Sequence, residues 1–283
     1  MNNFFLVIPT RERLECLKNL LIDLNAFSSY ISQVVIVDQT EPCVEDALKE
    51  LPLNYSYQVV KGDKTKSVNH SRNLALEYYN NEEWLFFLDD DLRIPELAFK
   101  KIIEHLTPNI IDVLIPGIQF EDMELTKFKY NTILDTISKP CDFSKGRFRL
   151  QVCSGLNIVK SQTFKDAGFY FDETYTIWGD DWDYGMRLLQ AGANIYFQPD
   201  ILVEHLQIDS GGQRTKKKEL DVALEKDMLY YYFLRKHFDN AVLKKEYLFA
   251  KLLAMKRMVF KADIRGLGRT IKAYKLSEKL LKQ

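Results

Sequence analysis

Two short stretches carry most of the carboxylates that could do chemistry. Asp89, Asp90 and Asp91 follow directly on the apolar run WLFFL (84–88), and Asp180 and Asp181 follow Gly179 within YTIWGDDWDYGMRLLQAG (175–192). Three ionised carboxylates crowded within about 5 Å repel by roughly 3 kcal/mol per pair at an effective dielectric near 20, so something must offset them. Solvent at a strand end is one offset. A hard divalent cation such as Mg²⁺ or Mn²⁺ is the other, since it takes oxygen ligands and cancels the repulsion. Asp180 and Asp181 sit where a helix would begin, so as structure alone they are N-terminal caps favoured by the helix dipole.

The elements that must position these residues follow from periodicity. FFLVI (4–8), VVIV (34–37), YSYQVV (55–60), WLFFL (84–88) and IIDVLI (110–115) read as buried strands. Helical patterns lie between them, at about 14–25, 44–50, 67–79 and 96–106. This alternation predicts an α/β fold with a mostly parallel, Rossmann-like sheet sandwiched by helices, and a ligand crevice at the carboxyl ends of the strands. The four strand exits are Pro9-Thr10-Arg11, Asp38-Gln39, Lys61-Gly62-Asp63 and Asp89 to Asp91. Three of the four carry an Asp, which favours a site for a cation and phosphates. Beyond residue 117 the pattern loosens into a segment that reads as hairpins or a flap. VCSGLNIVK (152–160) and IYFQPDILVEH (195–205) then restore strands. In the helix that opens at Asp180, Trp182, Met186 and Leu189 form a core face, and Asp183 and Arg187 pair at i, i+4.

Composition narrows the function classes. The 283 residues are 46% apolar with a formal net charge of −1, enough for one large α/β unit with an appendage. The charge is uneven. From Gly211 onward the chain has 19 Lys and Arg against 8 Asp and Glu. Cys16, Cys43, Cys141 and Cys153 lack CxxC spacing and nearby His, so neither a zinc site nor a disulfide framework is expected. There is no basic leader and no 18-residue apolar span, and the sequence reads as soluble and cytoplasmic. Nucleic-acid binding is disfavoured, because the part bearing the carboxylates is acidic and no aromatic-basic motif appears.

Taken in chain order over roughly residues 4–205, the motifs resemble the inverting family 2 glycosyltransferases of the GT-A fold. VIPTRERLECL resembles the opening strand and helix, VVIVDQT the second strand with its nucleotide-binding Asp, and SVNHSRNLAL the helix with an Arg-Asn pair. LDDDL stands at the DxD motif, SGLNIVKSQTFKDAGFYFDE at the acceptor-side strand, and WGDDWDYGMRLLQAG at the "ED" motif. The resemblance implies a metal-dependent transfer from a nucleoside-diphosphate sugar, UDP by the family's habit, to a glycan or lipid-linked acceptor of the cell surface. It implies donor contacts from Pro9, Thr10, Arg11, Asp38, Asp63, Arg72, Asn73, Asp89 and Asp90, with Asp89 toward the ribose. Asp91 would hold the Mn²⁺ or Mg²⁺, and His205 is either a further ligand or an ordinary strand-end histidine. Asp181 would be the catalytic base. Asp180 stands where the family usually has Glu, and with Trp178 would face the acceptor. Ser210 to Arg214 reads as a lid whose Arg214 reaches the diphosphate. His70, His105 and His237 have no matching role.

The expected division is a catalytic unit at 1–209, with a nucleotide-sugar half to about 116 and an acceptor half beyond it, and a basic loop with C-terminal helices at 210–283. In the last helix, Ile264, Leu267, Ile271 and Tyr274 follow helical spacing beside Arg265, Arg269 and Lys272. It could lie on the anionic inner face of a membrane, pack on the body of the protein, or pair between subunits. A dehalogenase-type phosphohydrolase is disfavoured, since Arg93 stands where that family expects Thr or Val. A nucleotidyltransferase would need a Gly-rich, Lys-bearing opening loop, which PTRER is not. A catalytically silent scaffold would be expected to lose Asp181 or Asp91, and both are present.

Overall fold

The computed structural model describes residues 3–106, 111–120, 123–124, 152–176, 178–206, 208, 211–212, 219–261 and 264–282. β1 (Phe4–Thr10), a continuous apolar run up to Pro9, is buried along its whole length, as expected of a strand covered on both faces. It pairs in parallel with β2 (Ile31–Asp38) and with β4 (Trp84–Leu88), and β2 pairs in parallel with β3 (Tyr57–Lys61). β8 (Leu156–Lys160) runs antiparallel between β4 and β6 (Val113–Phe120), and β6 pairs in parallel with β9 (Ile195–His205). Two short strands complete the described sheet. β5 (Leu92–Arg93) pairs with the end of β9, and β7 (Met123–Glu124) pairs with β6. The β5 pairing sets Leu92 opposite His205, and so brings the three aspartates close to the far end of the sheet.

Period-2 alternation in β1 divides the core between the two faces. Phe4, Leu6 and Ile8 pack with Leu17, Leu20 and Leu21 of α1 (Leu14–Asp23) and with Phe99 and Ile102 of α4 (Glu96–Leu106). Phe5 and Val7 pack on the other face with Ala75 of α3 (Val68–Leu76), Phe164 of α5 (Ser161–Asp166), and Tyr184 and Leu188 of α6 (Asp180–Gln190). A small helix, α2 (Glu45–Leu48), follows β2. A third cluster joins Tyr175 and Met186 to Tyr231, Tyr232 and Phe233 of α7 (Glu219–His237), Leu243 of α8 (Asn240–Lys261) and Ala273 of α9 (Ile264–Leu280).

The expected sandwich is therefore present, with the C-terminal helices bundled against α6. The apolar face of α9 is not turned to solvent. Ala273 and Ser277 are fully buried, and Tyr274 stacks on Tyr247 with ring centroids 3.9 Å apart. Of the three readings offered for that helix, the structure shows packing on the body, with Tyr231 of α7 and Tyr247 of α8 against the Tyr274 ring. Most of the expected flap, including Cys141, lies outside the described residues.

Candidate active site

The three aspartates diverge as soon as β4 ends, and each meets a partner from another element. Thr10 Oγ1 donates to Asp90 Oδ2 at 2.7 Å. Arg13, at the start of α1, donates from Nη1 to Asp90 Oδ1 (3.2 Å) and Asp91 Oδ2 (2.7 Å), while its Nη2 donates to the Ile208 carbonyl (2.9 Å). Arg72 of α3 donates to Asp89 Oδ1 and to Asp180 Oδ2, both at 3.2 Å. Two arginines thus meet part of the repulsion that the sequence assigned to solvent or a cation. Burial pushes the Asp90 carboxyl up to about 7, against the pull of Thr10 and Arg13 and with Asp91 and Asp89 adding to the rise. Asp90 is 5% exposed, and its bonds tie it to Thr10 of β1 and to Arg13 at the start of α1.

Ligand atoms of Asp89, Asp91 and His205 all lie within 4.8 Å of one another. Two carboxylates and an imidazole suit Mn²⁺ or Mg²⁺, with the nitrogen favouring Mn²⁺. The donor set therefore fits a divalent cation. It includes Asp89, which the sequence reading pointed at the ribose, because β5 folds the chain back so that His205 Nε2 lies 3.6 Å from Asp91 Oδ1. The neighbouring strand closes over Asp89 at Gly155. A Cβ there would stand 2.1 Å from Asp89 Oδ2, so only glycine leaves that carboxylate its place.

Asp181 opens α6 behind a left-handed turn at Gly179 (φ +90), where a Cβ would meet the Tyr175 ring at 2.9 Å. Its Oδ1 accepts from the Ser154 amide at 2.7 Å, and the Ser154 hydroxyl donates to Asp180 Oδ2 at 2.6 Å. Burial, with the Asp180 charge beside it, pushes the Asp181 carboxyl up to about 7 despite those bonds. A carboxyl so tuned is suited to exchanging a proton near neutrality.

Both carboxylate groups face one cavity of about 310 Å³. Pro9, Thr10, Arg11, Arg72, Asp89, Asp90, Asp91, Asp180, Asp181 and His205 line it, as the sequence suggested. Gln39, one of the expected strand exits, lines it too, as do Arg13, Ser154 and Gly155, to which sequence reasoning gave no role of their own. The two Arg in PTRER were a signal for Arg13, since a cation so near three carboxylates in the fold has few better partners.

Other expected contacts lie elsewhere. Asp38 is fully buried, and both its oxygens accept from the amides of its own loop, Thr40 and Val44, each at 2.8 Å. Asp63 caps Thr65 through both the amide and the hydroxyl. The Asn73 amide bonds to Phe171 and Glu173 and ties α3 to the loop before α6. Trp178 is 37% exposed outside the cavity, with Lys226 Nζ 3.6 Å above its ring. Gly212 lines the cavity, and its amide donates to the Arg11 carbonyl at 2.9 Å. Arg214 and Ser210 lie outside the described residues.

Behind the site, Asp183 is 1% exposed at its side chain. It accepts from Arg187 Nε (2.9 Å) and is bonded by His237 Nε2 (2.8 Å), and Lys236 Nζ lies 2.7 Å away. The expected Asp183–Arg187 pair thus exists, but α7 covers it. His237, left without a role by the sequence, belongs to this cluster.

The model of glycosyl transferase family 2 matches residues 5–167, more than half of the chain. Pre-mycofactocin glycosyltransferase of Mycobacterium tuberculosis is 24% identical over 203 residues, which cover 70% of this chain and 42% of that protein. The chain thus spans less than half the length of the curated relatives it matches. S. aureus TarS 1–349 in complex with UDP-GlcNAc superposes over 96% of this chain and 81% of its own, with a TM-score of 0.62 at 16% identity. The same protein in complex with UDP gives a TM-score of 0.60 at 17% identity, over 96% and 80%. These likenesses speak to the fold, which is that of GT-A enzymes. With a family match that runs from β1 through α5 and a carboxylate-lined cavity at the strand ends, the chain belongs to glycosyl transferase family 2.

Proposed function

We propose that the protein is a metal-dependent inverting glycosyltransferase. It moves a sugar from a nucleoside-diphosphate donor, UDP favoured, to a glycan or lipid-linked acceptor in cell-surface polysaccharide synthesis. The observation that carries this reading is the placement, in one cavity, of the Asp89, Asp91 and His205 group and of Asp181 with its carboxyl raised to about 7. A similar fold that holds UDP and UDP-GlcNAc supports the choice of nucleotide. In this reading residues 1–209 are the catalytic unit and 210–283 an extension that works at the cytoplasmic face of a membrane. Among the described residues no helix is long and apolar enough to cross one.

Asp89, Asp91 and His205 would hold the cation, which when bound neutralises charge on the leaving diphosphate. Thr10, Arg11 and Gln39 border the nucleotide end of the cavity. Asp181 takes the proton of the acceptor hydroxyl as that oxygen attacks the anomeric carbon, in line with the departing diphosphate. Ser154 holds Asp181 and Asp180 in place, and Arg72 sets Asp180 against Asp89. Calorimetric titration with UDP, GDP and dTDP, each with and without Mn²⁺, tests the donor side. Metal-dependent binding of one nucleotide is expected, and its retention in Asp181→Asn together with loss of turnover completes the assignment. Full turnover in Asp181→Asn would remove the base.

A further inference from the structure

We propose that the outer face of α8 is a docking surface for an anionic lipid bilayer. Leu248, Phe249, Leu252, Leu253, Met255 and Val259 are all exposed, Leu252 at 55% and Val259 at 72%. They occupy one side of the helix, because Leu243 and Ala254 on the opposite side are buried against α7 and α9. A row of large apolar side chains over three turns is more than the scattered exposure of an ordinary surface. Lys245 and Lys256 stand in its midst, both exposed. Over Asn240–Lys261 the helix carries six Lys and Arg against a single acid, Glu246.

The charge decides the occupant. Two copies of α8 laid face to face would bring their lysine rows together, and the one acid of the helix, Glu246, is bonded by the Tyr230 hydroxyl of α7 at 3.1 Å. An anionic headgroup layer supplies the missing negative charge, while the leucines and Phe249 enter the acyl boundary and the lysine stems run up to the phosphates. This differs from the contact the sequence suggested. The face of α9 is spent on the tyrosine cluster, and the free apolar face lies one helix earlier.

The inference rests on the reading of the protein as an enzyme at a membrane face, and its test is kept apart from transfer. The full chain is sedimented with vesicles of phosphatidylcholine alone or with about a third phosphatidylglycerol, without donor or acceptor. Binding to the anionic vesicles is expected to exceed binding to the neutral ones by about tenfold and to weaken with salt. Leu252→Ser with Val259→Ser, and separately Lys245→Glu with Lys256→Glu, should each cut it by about tenfold. Metal-dependent UDP binding should stay unchanged in both, which separates loss of this surface from failure of the donor site. Absent or charge-independent vesicle binding, or binding unaltered in both variants, overturns the proposal. So does a wild-type dimer in analytical ultracentrifugation that Leu252→Ser with Val259→Ser dissolves, an outcome that assigns the face to a second copy.

Discussion

Replacing Asp183 with Asn keeps the shape of the side chain and removes its charge. The carboxylate is bonded by Arg187 and His237 with Lys236 at 2.7 Å, while Arg187 is anchored further by the carbonyls of Ala167 (2.6 Å) and Tyr170 (2.7 Å) and cannot swing to water. Breaking a buried pair costs about 3–5 kcal/mol, because the partner charge is left uncompensated. The low end applies here, since Lys236 keeps Asp172 at 2.6 Å and Asn still accepts a bond. Over 283 residues the unfolding entropy is roughly 0.6 kcal/mol per degree, so about 3 kcal/mol lowers the melting temperature by about 5 °C. The pH dependence carries a sign. Burial alone would raise the Asp183 carboxyl, but the His237 bond and the charges of Arg187 and Lys236 outweigh it and hold the group well below the usual carboxylate range. A depressed carboxyl stabilises above its unfolded value, about 4, and loses that contribution as pH falls further. Thermal melts followed by circular dichroism should therefore show a constant gap between wild type and variant from about pH 8 to 5, closing below about pH 4. An unshifted melting temperature near neutrality would refute the reasoning, as would a gap that widens in acid.

Two further outcomes follow from the cavity. If Asp181 must be ionised to accept the hydroxyl proton, its carboxyl near 7 requires kcat/KM to rise as pH increases through about 7 and then level; a profile flat from pH 5 to 9 would speak against that role. Gly155→Ala should displace Asp89, whose Oδ2 would lie 2.1 Å from the new Cβ, and weaken Mn²⁺-dependent nucleotide binding by about tenfold or more. Binding by Gly155→Ala equal to wild type, with an unchanged melting curve, would mean that Asp89 has room to spare.

The buried strands and the helix that carries Asp181 were legible because their signals are local. WLFFL and DDWDYGMRLLQAG specify element, period and end within a few residues. Long-range partners were not. Nothing near Asp89 to Asp91 in sequence announces that Arg13 and Arg72 will flank them, and His237 becomes a partner of Asp183 only after α7 folds back. The bonds of Asp38, Asp63 and Asn73 to nearby backbone and loop residues were not legible either, since a strand-end polar group can serve a ligand or its own loop, and the amides nearby decide which bonds it makes. β5 is too short for any periodicity, yet it brings His205 to Asp91. The α8 face escaped notice because its apolar residues sit among lysines, and exposure depends on which side the neighbouring helices leave open.

The Asp183 cluster also sets how this chain may be cut and recombined. Two of its members, Lys236 and His237, come from beyond the boundary expected near residue 209, and two, Asp183 and Arg187, from before it. A fragment ending at that boundary would expose the Asp183 flank of α6 together with the apolar patch around Tyr175 and Met186. A chimera that borrows its tail from another family member would face the same mismatch. The extension and α6 form one unit of exchange, and a clean graft would have to move them together.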